Sequence, residues 1–258
     1  MLQDNPKPFI EHLEELRSCI LKCLGALATG MVLAAIYTNE LLELLRRPLM
    51  PALAEHKLDP GKFLFMMNPL DPMTLTFQTA LFGGIILALP FMLFFIGQYV
   101  LPALSTKERR LLLPGATVGC LLFLTGVFFC YFIVLPRTMQ FLIGWSFDLG
   151  AEPRYPYQEY IGVVVQLLAG FGLAFELPLV IAVLSKLGIV SSAFLKSGRR
   201  HAFVVILVLS AFITPTSDPF TLMAMAVPMY VLFEAGIITA WWIERRERER
   251  ENEPEALD

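Results

Sequence analysis

The chain has 258 residues, is 56% hydrophobic and has a mean hydropathy of +0.64, which is more apolar surface than one soluble core can enclose. A polytopic membrane protein is the class that fits. The formal net charge of −3 does not orient such a chain, because orientation follows Lys and Arg alone. Cys19, Cys23, Cys120 and Cys130 form no CxxC and have no His at ligand spacing, which excludes a disulfide framework or a zinc motif and leaves them as small apolar packers.

In chain order, the first span is expected at about Cys23–Tyr37, extended on its N-terminal side by an amphipathic stretch around Ile10–Leu21. Glu14, Glu15 and Arg17 flank this run and further spans follow it, so it reads as a retained helix and not a cleaved signal peptide. A structured connection follows from Thr38 to Asp71. Within it Glu40–Arg47 has leucines at helical spacing, and Pro48 and Pro51 stop that helix. Pro72 to Thr106 carries no charge and exceeds one span of about 20 residues, so a long second helix bent at Pro90 is expected. The third span lies within Leu111–Pro136, with Ala116, Gly119 and Gly126 as small packing residues and Arg137 closing it. After the connection Pro153–Tyr160, a fourth span covers about Ile161–Leu184 and contains Glu176.

The last two spans read as short. Ala202–Ser217 gives about 24 Å of helix against a hydrocarbon core of about 30 Å. Pro219–Phe233 has the same shortfall unless Glu234 is carried inside the membrane. Trp241 and Trp242 sit where an aromatic belt belongs, and Glu244–Asp258 reads as a charged, solvated tail. The expected fold is therefore all-α, a single domain of six transmembrane helices over residues 1–243. Lys7, Arg17, Lys22, Lys107, Arg109, Arg110, Lys186, Lys196, Arg199, Arg200 and the four tail arginines from Arg245 to Arg250 fall on one side. Only Arg46, Arg47, Lys57, Lys62, Arg137 and Arg154 fall on the other, so both termini are expected to be cytoplasmic.

Glu176 stands between Phe175 and Leu177, where an ionised group costs about 2.5–3.5 kcal/mol at a span centre, and so marks a functional position. Its alternative is a protonated, hydrogen-bonded group that fixes helix packing. Glu15 at the cytoplasmic mouth of the first helix and Glu108 in the first cytoplasmic connection are two carboxylates suited to hold guanidinium groups bidentately. Their alternative is ordinary loop charge that pairs internally. Asp218, before Pro219, has the pattern of an N-cap for the sixth helix. Ser146, Ser191 and Ser192 lack an intramembrane His partner, and HExxH, Walker A and Gly-rich nucleotide loops are absent. Neither an enzyme nor a metal or other cofactor is expected.

Four stretches in order then resemble one family. They are His12-Leu13-Glu14-Glu15-Leu16-Arg17, Pro102-Ala103-Leu104 running into Glu108-Arg109-Arg110, Phe171-Gly172-Leu173-Ala174-Phe175-Glu176-Leu177-Pro178, and Thr214-Pro215 through Asp218-Pro219-Phe220 to Phe233-Glu234. Together they resemble TatC, the polytopic receptor subunit of the twin-arginine protein translocase. The resemblance implies that Glu15 and Glu108, supported by Arg17, bind the paired arginines of export signal peptides. It implies that Glu176 belongs to an intramembrane polar interior, that Pro48 and Asp218 shape the outer face, and that Tyr99, Phe123 and Tyr131 support the site. It also implies single-span partner subunits of the TatA and TatB type, an oligomeric complex in the bacterial inner membrane, and transport drawing on the proton motive force. The chain departs from the family where Thr216-Ser217 lengthens the turn and Leu222 stands at a position often Gln. The competing reading from another class is a proton-coupled small-solute transporter with Glu176 as relay.

Overall fold

The computed structural model describes residues 9–100, 112–214 and 218–252. Helices dominate: α1 (Phe9–Ile36), α2 (Thr38–Arg46), α3 (Met50–Glu55), α4 (Pro60–Phe63), α5 (Asp71–Val100), α6 (Leu112–Phe129), α7 (Leu135–Asp148), α8 (Tyr157–Ala174), α9 (Leu177–Lys186), α10 (Ser192–Ser197), α11 (Arg199–Ile213) and α12 (Pro219–Asn252). Arg47–Leu49 is a 3-10 turn and Cys130–Val134 a π segment. The only departure from all-α among the described residues is a parallel pair of two-residue strands, β1 (Leu64–Phe65) and β2 (Tyr155–Pro156). Five stretches are long and apolar enough to cross a membrane: Leu13–Ile36, Asp71–Tyr99, Thr117–Asp148, Tyr157–Lys186 and Pro219–Arg246. The chain divides into two compact units, residues 1–44 with 68–121, and residues 45–67 with 122–258.

In the first unit α1 and α5 pack antiparallel, with Cys19 beside Phe95 at one end and Ala34 beside Gly83 towards the other. Membrane helices gain little from burying apolar side chains against one another, so close backbone approach has to hold them together. Gly30 and Gly84 provide it. A Cβ on Gly30 would lie 2.6 Å from the Gly84 carbonyl oxygen, and one on Gly84 would lie 2.6 Å from the Met31 nitrogen.

The second unit repeats that device. A Cβ on Gly126 of α6 would lie 2.6 Å from the Phe171 carbonyl oxygen of α8, and one on Gly172 would overlap the Phe123 ring. Phe129, Phe171 and Phe175 cluster beside this crossing, with centroids 5.9 and 5.6 Å from Phe129. The connection 45–67 belongs to this unit. Pro48, Leu49, Ala52 and Leu53 are buried, and the Tyr160 hydroxyl donates to the Leu45 carbonyl at 2.8 Å.

Three spans differ from expectation. The third does not close at Arg137, which lies exposed within α7. Pro136 has no amide hydrogen to offer, and the wider-wound π segment just before it absorbs that loss, so the helical run reaches Asp148. The fourth is not one helix. Pro178 cannot donate to the Ala174 carbonyl, and there α8 ends, leaving Glu176 at the break before α9.

The sixth is not short. α12 has 34 residues and carries Glu234 within it, because Arg199 Nη2 lies 2.7 Å from one carboxylate oxygen and the Tyr230 hydroxyl donates to the other at 3.1 Å. Beyond the ion pair the helix continues past Trp241 and Trp242, over which Arg245 and Arg246 stack at 5.6 and 5.7 Å. The tail region is helical to Asn252, and Glu244 accepts from both the amide and the hydroxyl of Ser192, the latter at 2.6 Å. α11, with 15 residues, is short as expected, spanning about 22 Å.

The glycine contacts generate a graded expectation. Gly84→Ala and Gly30→Ala should each destabilise the protein by about 1–3 kcal/mol through overpacking. Gly25→Ala, on the same α1 but with nothing within 4 Å of its added Cβ, should be neutral or stabilising by up to about 1 kcal/mol. Thermal unfolding of the detergent-solubilised protein separates the two cases; equal midpoints for Gly25→Ala and Gly84→Ala would refute the packing account.

Candidate functional site

Each unit carries its own candidate acid, Glu15 in the first and Glu176 in the second. Glu15 projects half-buried from α1. Three and four residues on along the same face come Ser18 and Cys19, and a turn later Lys22, while α5 presents Phe95, Gln98 and Tyr99 at matching spacing. Together these seven residues line a cleft of about 180 Å³ between the two helices. The Cys19 thiol at its floor donates to the Phe95 carbonyl at 3.5 Å, which ties the two walls together.

The cleft is chemically asymmetric. A carboxylate stands at Glu15 and an ammonium at Lys22, with the Gln98 amide, the Ser18 hydroxyl and the Tyr99 phenol as hydrogen-bonding groups between and around them. Its volume is of the order that holds six non-hydrogen atoms, since an apolar cavity of about 150 Å³ takes a benzene molecule. An arginine side chain beyond Cβ has that many atoms.

Of the residues expected here, the structure places Glu15 and Tyr99 on the cleft. Arg17 is exposed and is not among the lining residues, since positions two apart on a helix face different ways. Glu108 lies outside the described residues. Ser18, Phe95 and Gln98 were not singled out by the sequence, and Cys19 and Lys22 were read only as an apolar packer and as an orienting charge. Their signal was present nonetheless, in helical offsets of three, four and seven from Glu15 and of one and four before Tyr99.

Glu176 is 6% exposed, in the turn between α8 and α9. Its carboxylate faces the backbone of Phe123, and Oε1 is enclosed with no hydrogen-bond partner among the described residues. Phe123 is fully buried and lies against Gly172, so the α6–α8 crossing sets the wall against which this carboxylate rests. Tyr131 belongs to the π segment further along the same helical run. Asp218 caps α12: its Oδ1 accepts from the Thr221 amide at 2.7 Å, as an N-cap should. Residues 215–217, which include the lengthened turn, are outside the described residues. Pro48 is buried in the 3-10 turn and acts on packing from within.

Comparison with known proteins matches this architecture throughout. A family model for the Sec-independent protein translocase protein (TatC) matches residues 11–228. The TatC protein of Deinococcus radiodurans is 40% identical over 233 residues, 90% of this chain and 84% of that protein. That of Akkermansia muciniphila is 43% identical over 192 residues, 74% of this chain, and the match spans 55% of the relative's own length. A crystal structure of the twin arginine translocase receptor TatC superposes with a TM-score of 0.80 at 32% identity, covering 90% of this chain and 99% of that one. The chain belongs to the TatC family of Sec-independent protein translocase proteins.

Proposed function

We propose that this chain is the receptor core of a twin-arginine translocase in the bacterial inner membrane, and that the cleft carrying Glu15 receives an arginine side chain of the export signal. The observation that carries this reading is the cleft itself, which has the Glu15 carboxylate and, seven residues along α1, the Lys22 ammonium, with neutral polar groups beside them and room for one guanidinium with its stem at the Glu15 end. Glu108 holds the second arginine of the pair, and Arg17 supports the site from the neighbouring face of α1. Membership of a protein translocase family sets aside the small-solute transporter.

An arginine presents five donors in a planar fork, where a lysine presents three on a point charge. A cleft with a carboxylate, an amide and hydroxyls around it satisfies the fork better than the ammonium. Both termini face the cytoplasm in this scheme, which puts the cleft on the side where a signal sequence arrives. Single-span partners of the TatA and TatB type dock on α11, whose length leaves it about 8 Å short of a hydrocarbon core of about 30 Å and whose Phe212 is 79% exposed. Glu176 acts after signal binding, as the intramembrane polar contact for a partner helix or for the inserted signal. The working complex is an oligomer, and transport draws on the proton motive force.

Two outcomes test this scheme. Glu15→Gln keeps the shape and removes the charge, and should weaken binding of a twin-arginine peptide by roughly tenfold or more, the worth of one lost charge-assisted hydrogen-bonded pair. Peptide titration in nanodiscs measures it, with Glu108→Gln expected to behave alike. Unchanged affinity in both variants defeats the assignment. Glu176→Ala should leave that affinity within about twofold while lowering export of a folded cargo, with Glu176→Gln retaining part of the transport because the amide keeps hydrogen-bonding capacity. Full export by the alanine variant would reduce Glu176 to a packing residue.

A further inference from the structure

At the head of α8 the chain gathers two arginines and three tyrosines, of which only Tyr131 was expected to support the receptor site. Arg46 ends α2 and Arg47 opens the 3-10 turn; Tyr131 comes from the π segment, and Tyr157 and Tyr160 form the first turn of α8. Tyr160, 3% exposed, commits its hydroxyl to the Leu45 carbonyl, which pins the backbone just before Arg46 against that turn. The Arg46 guanidinium then lies over the Tyr157 ring, with Cζ 5.8 Å from the ring centre. Arg46 is half-buried, and its Nε is enclosed with no hydrogen-bond acceptor. Among the described residues no carboxylate pairs with it. Glu159, the acid of the same first turn, is exposed and forms no ion pair among the described residues. Arg47, more exposed, stands within electrostatic reach of Tyr131.

A guanidinium does not give up its proton, so half-burying one without a counter-anion costs free energy that an anion from outside the chain would offset. Orientation does not explain the pair either. With both termini in the cytoplasm these arginines fall on the side where Lys and Arg are disfavoured.

Position points to the kind of anion. Tyr157 is the first residue of an apolar span that runs to Lys186, so the cluster stands where hydrocarbon gives way to headgroups, a level at which tyrosine is favoured. The arginine fork and the Tyr157 hydroxyl are donors matched to phosphate oxygens. One residue beyond Tyr131, Phe132 stacks on Phe128 at 6.2 Å, and both are more than half exposed, an apolar track on the same helical run for an acyl chain.

We propose that Arg46, with Tyr157 and the neighbouring Arg47, binds the phosphodiester of an anionic phospholipid at the head of α8. The site is independent of signal recognition and fixes the connection 45–67 to the membrane surface. The test is native mass spectrometry of the full chain in detergent, titrated with phosphatidylglycerol. The wild-type chain should retain one lipid, and Arg46→Gln should weaken that retention roughly tenfold or more through loss of charge-assisted hydrogen bonds. Arg46→Lys should fall between, keeping charge and losing the fork. Diacylglycerol, with the same chains and no phosphate, should not compete, and inorganic phosphate should compete only weakly. Equal retention by wild type and Arg46→Gln overturns the proposal. So does competition by diacylglycerol, or binding of inorganic phosphate as tight as that of the lipid. If Arg46→Gln fails to fold, the diacylglycerol and phosphate arms on the wild-type chain decide alone.

Discussion

Close approach of helix backbones at glycine is the interaction on which the rest depends. Lipid tails are as apolar as leucine, so helices surrounded by them have no hydrophobic reason to associate. Gly30 against Gly84 brings α1 onto α5, and Gly126 and Gly172 bring α6 onto α8. Each crossing then positions one acid. The first holds the walls of the Glu15 cleft at a separation that leaves about 180 Å³ between them. The second presses Phe123 into the space a side chain on Gly172 would need, and so sets the wall beside the Glu176 carboxylate.

Polar groups on and beside the apolar spans also depend on finding partners. Glu234 rides within α12 because Arg199 and Tyr230 satisfy its two oxygens. Glu244 binds the first residue of α10 and ties that short helix to α12. Glu176 and Arg46 are different, for each keeps an enclosed polar atom without an acceptor or donor among the described residues. Native structures satisfy nearly all such atoms, so each exception needs an explanation, and these two ionisable groups need one more than the buried hydroxyls of Thr79, Thr138 and Ser185 that share the feature. One supports the proposed intramembrane contact and the other the proposed lipid site.

Much of this was legible in the chain. Hydropathy and charge located the long spans, the shortness of α11 followed from the length of the run Ala202–Ser217, and the Asp218 cap was readable from the proline after it. Glu176 stood out because an acid is costly inside a span, and Glu15 because it stands at the mouth of the first helix. What was not legible depended on partners distant in sequence. The sixth span was read as Pro219–Phe233 unless Glu234 is carried inside, and nothing local decides this, because the neutralising Arg199 stands 35 residues earlier. The third span was closed at Arg137 because a π segment leaves no composition signal, and the break after Ala174 was missed although Pro178, four residues on, predicts it. The other lining residues of the cleft share a helical face with Glu15 or Tyr99, but only the α1–α5 crossing shows that those two faces meet.

The central claim is that one signal arginine enters the cleft between α1 and α5. The most direct test is a photo-reactive side chain placed in turn at Ser18, at Gln98 and at Ile20, which is half exposed on another face of α1. A twin-arginine peptide should cross-link from Ser18 and Gln98 and not from Ile20, and excess unlabelled peptide should suppress the reaction where its double-lysine counterpart does not. Cross-linking as strong from Ile20 as from Gln98, or equal suppression by the two peptides, would contradict the account.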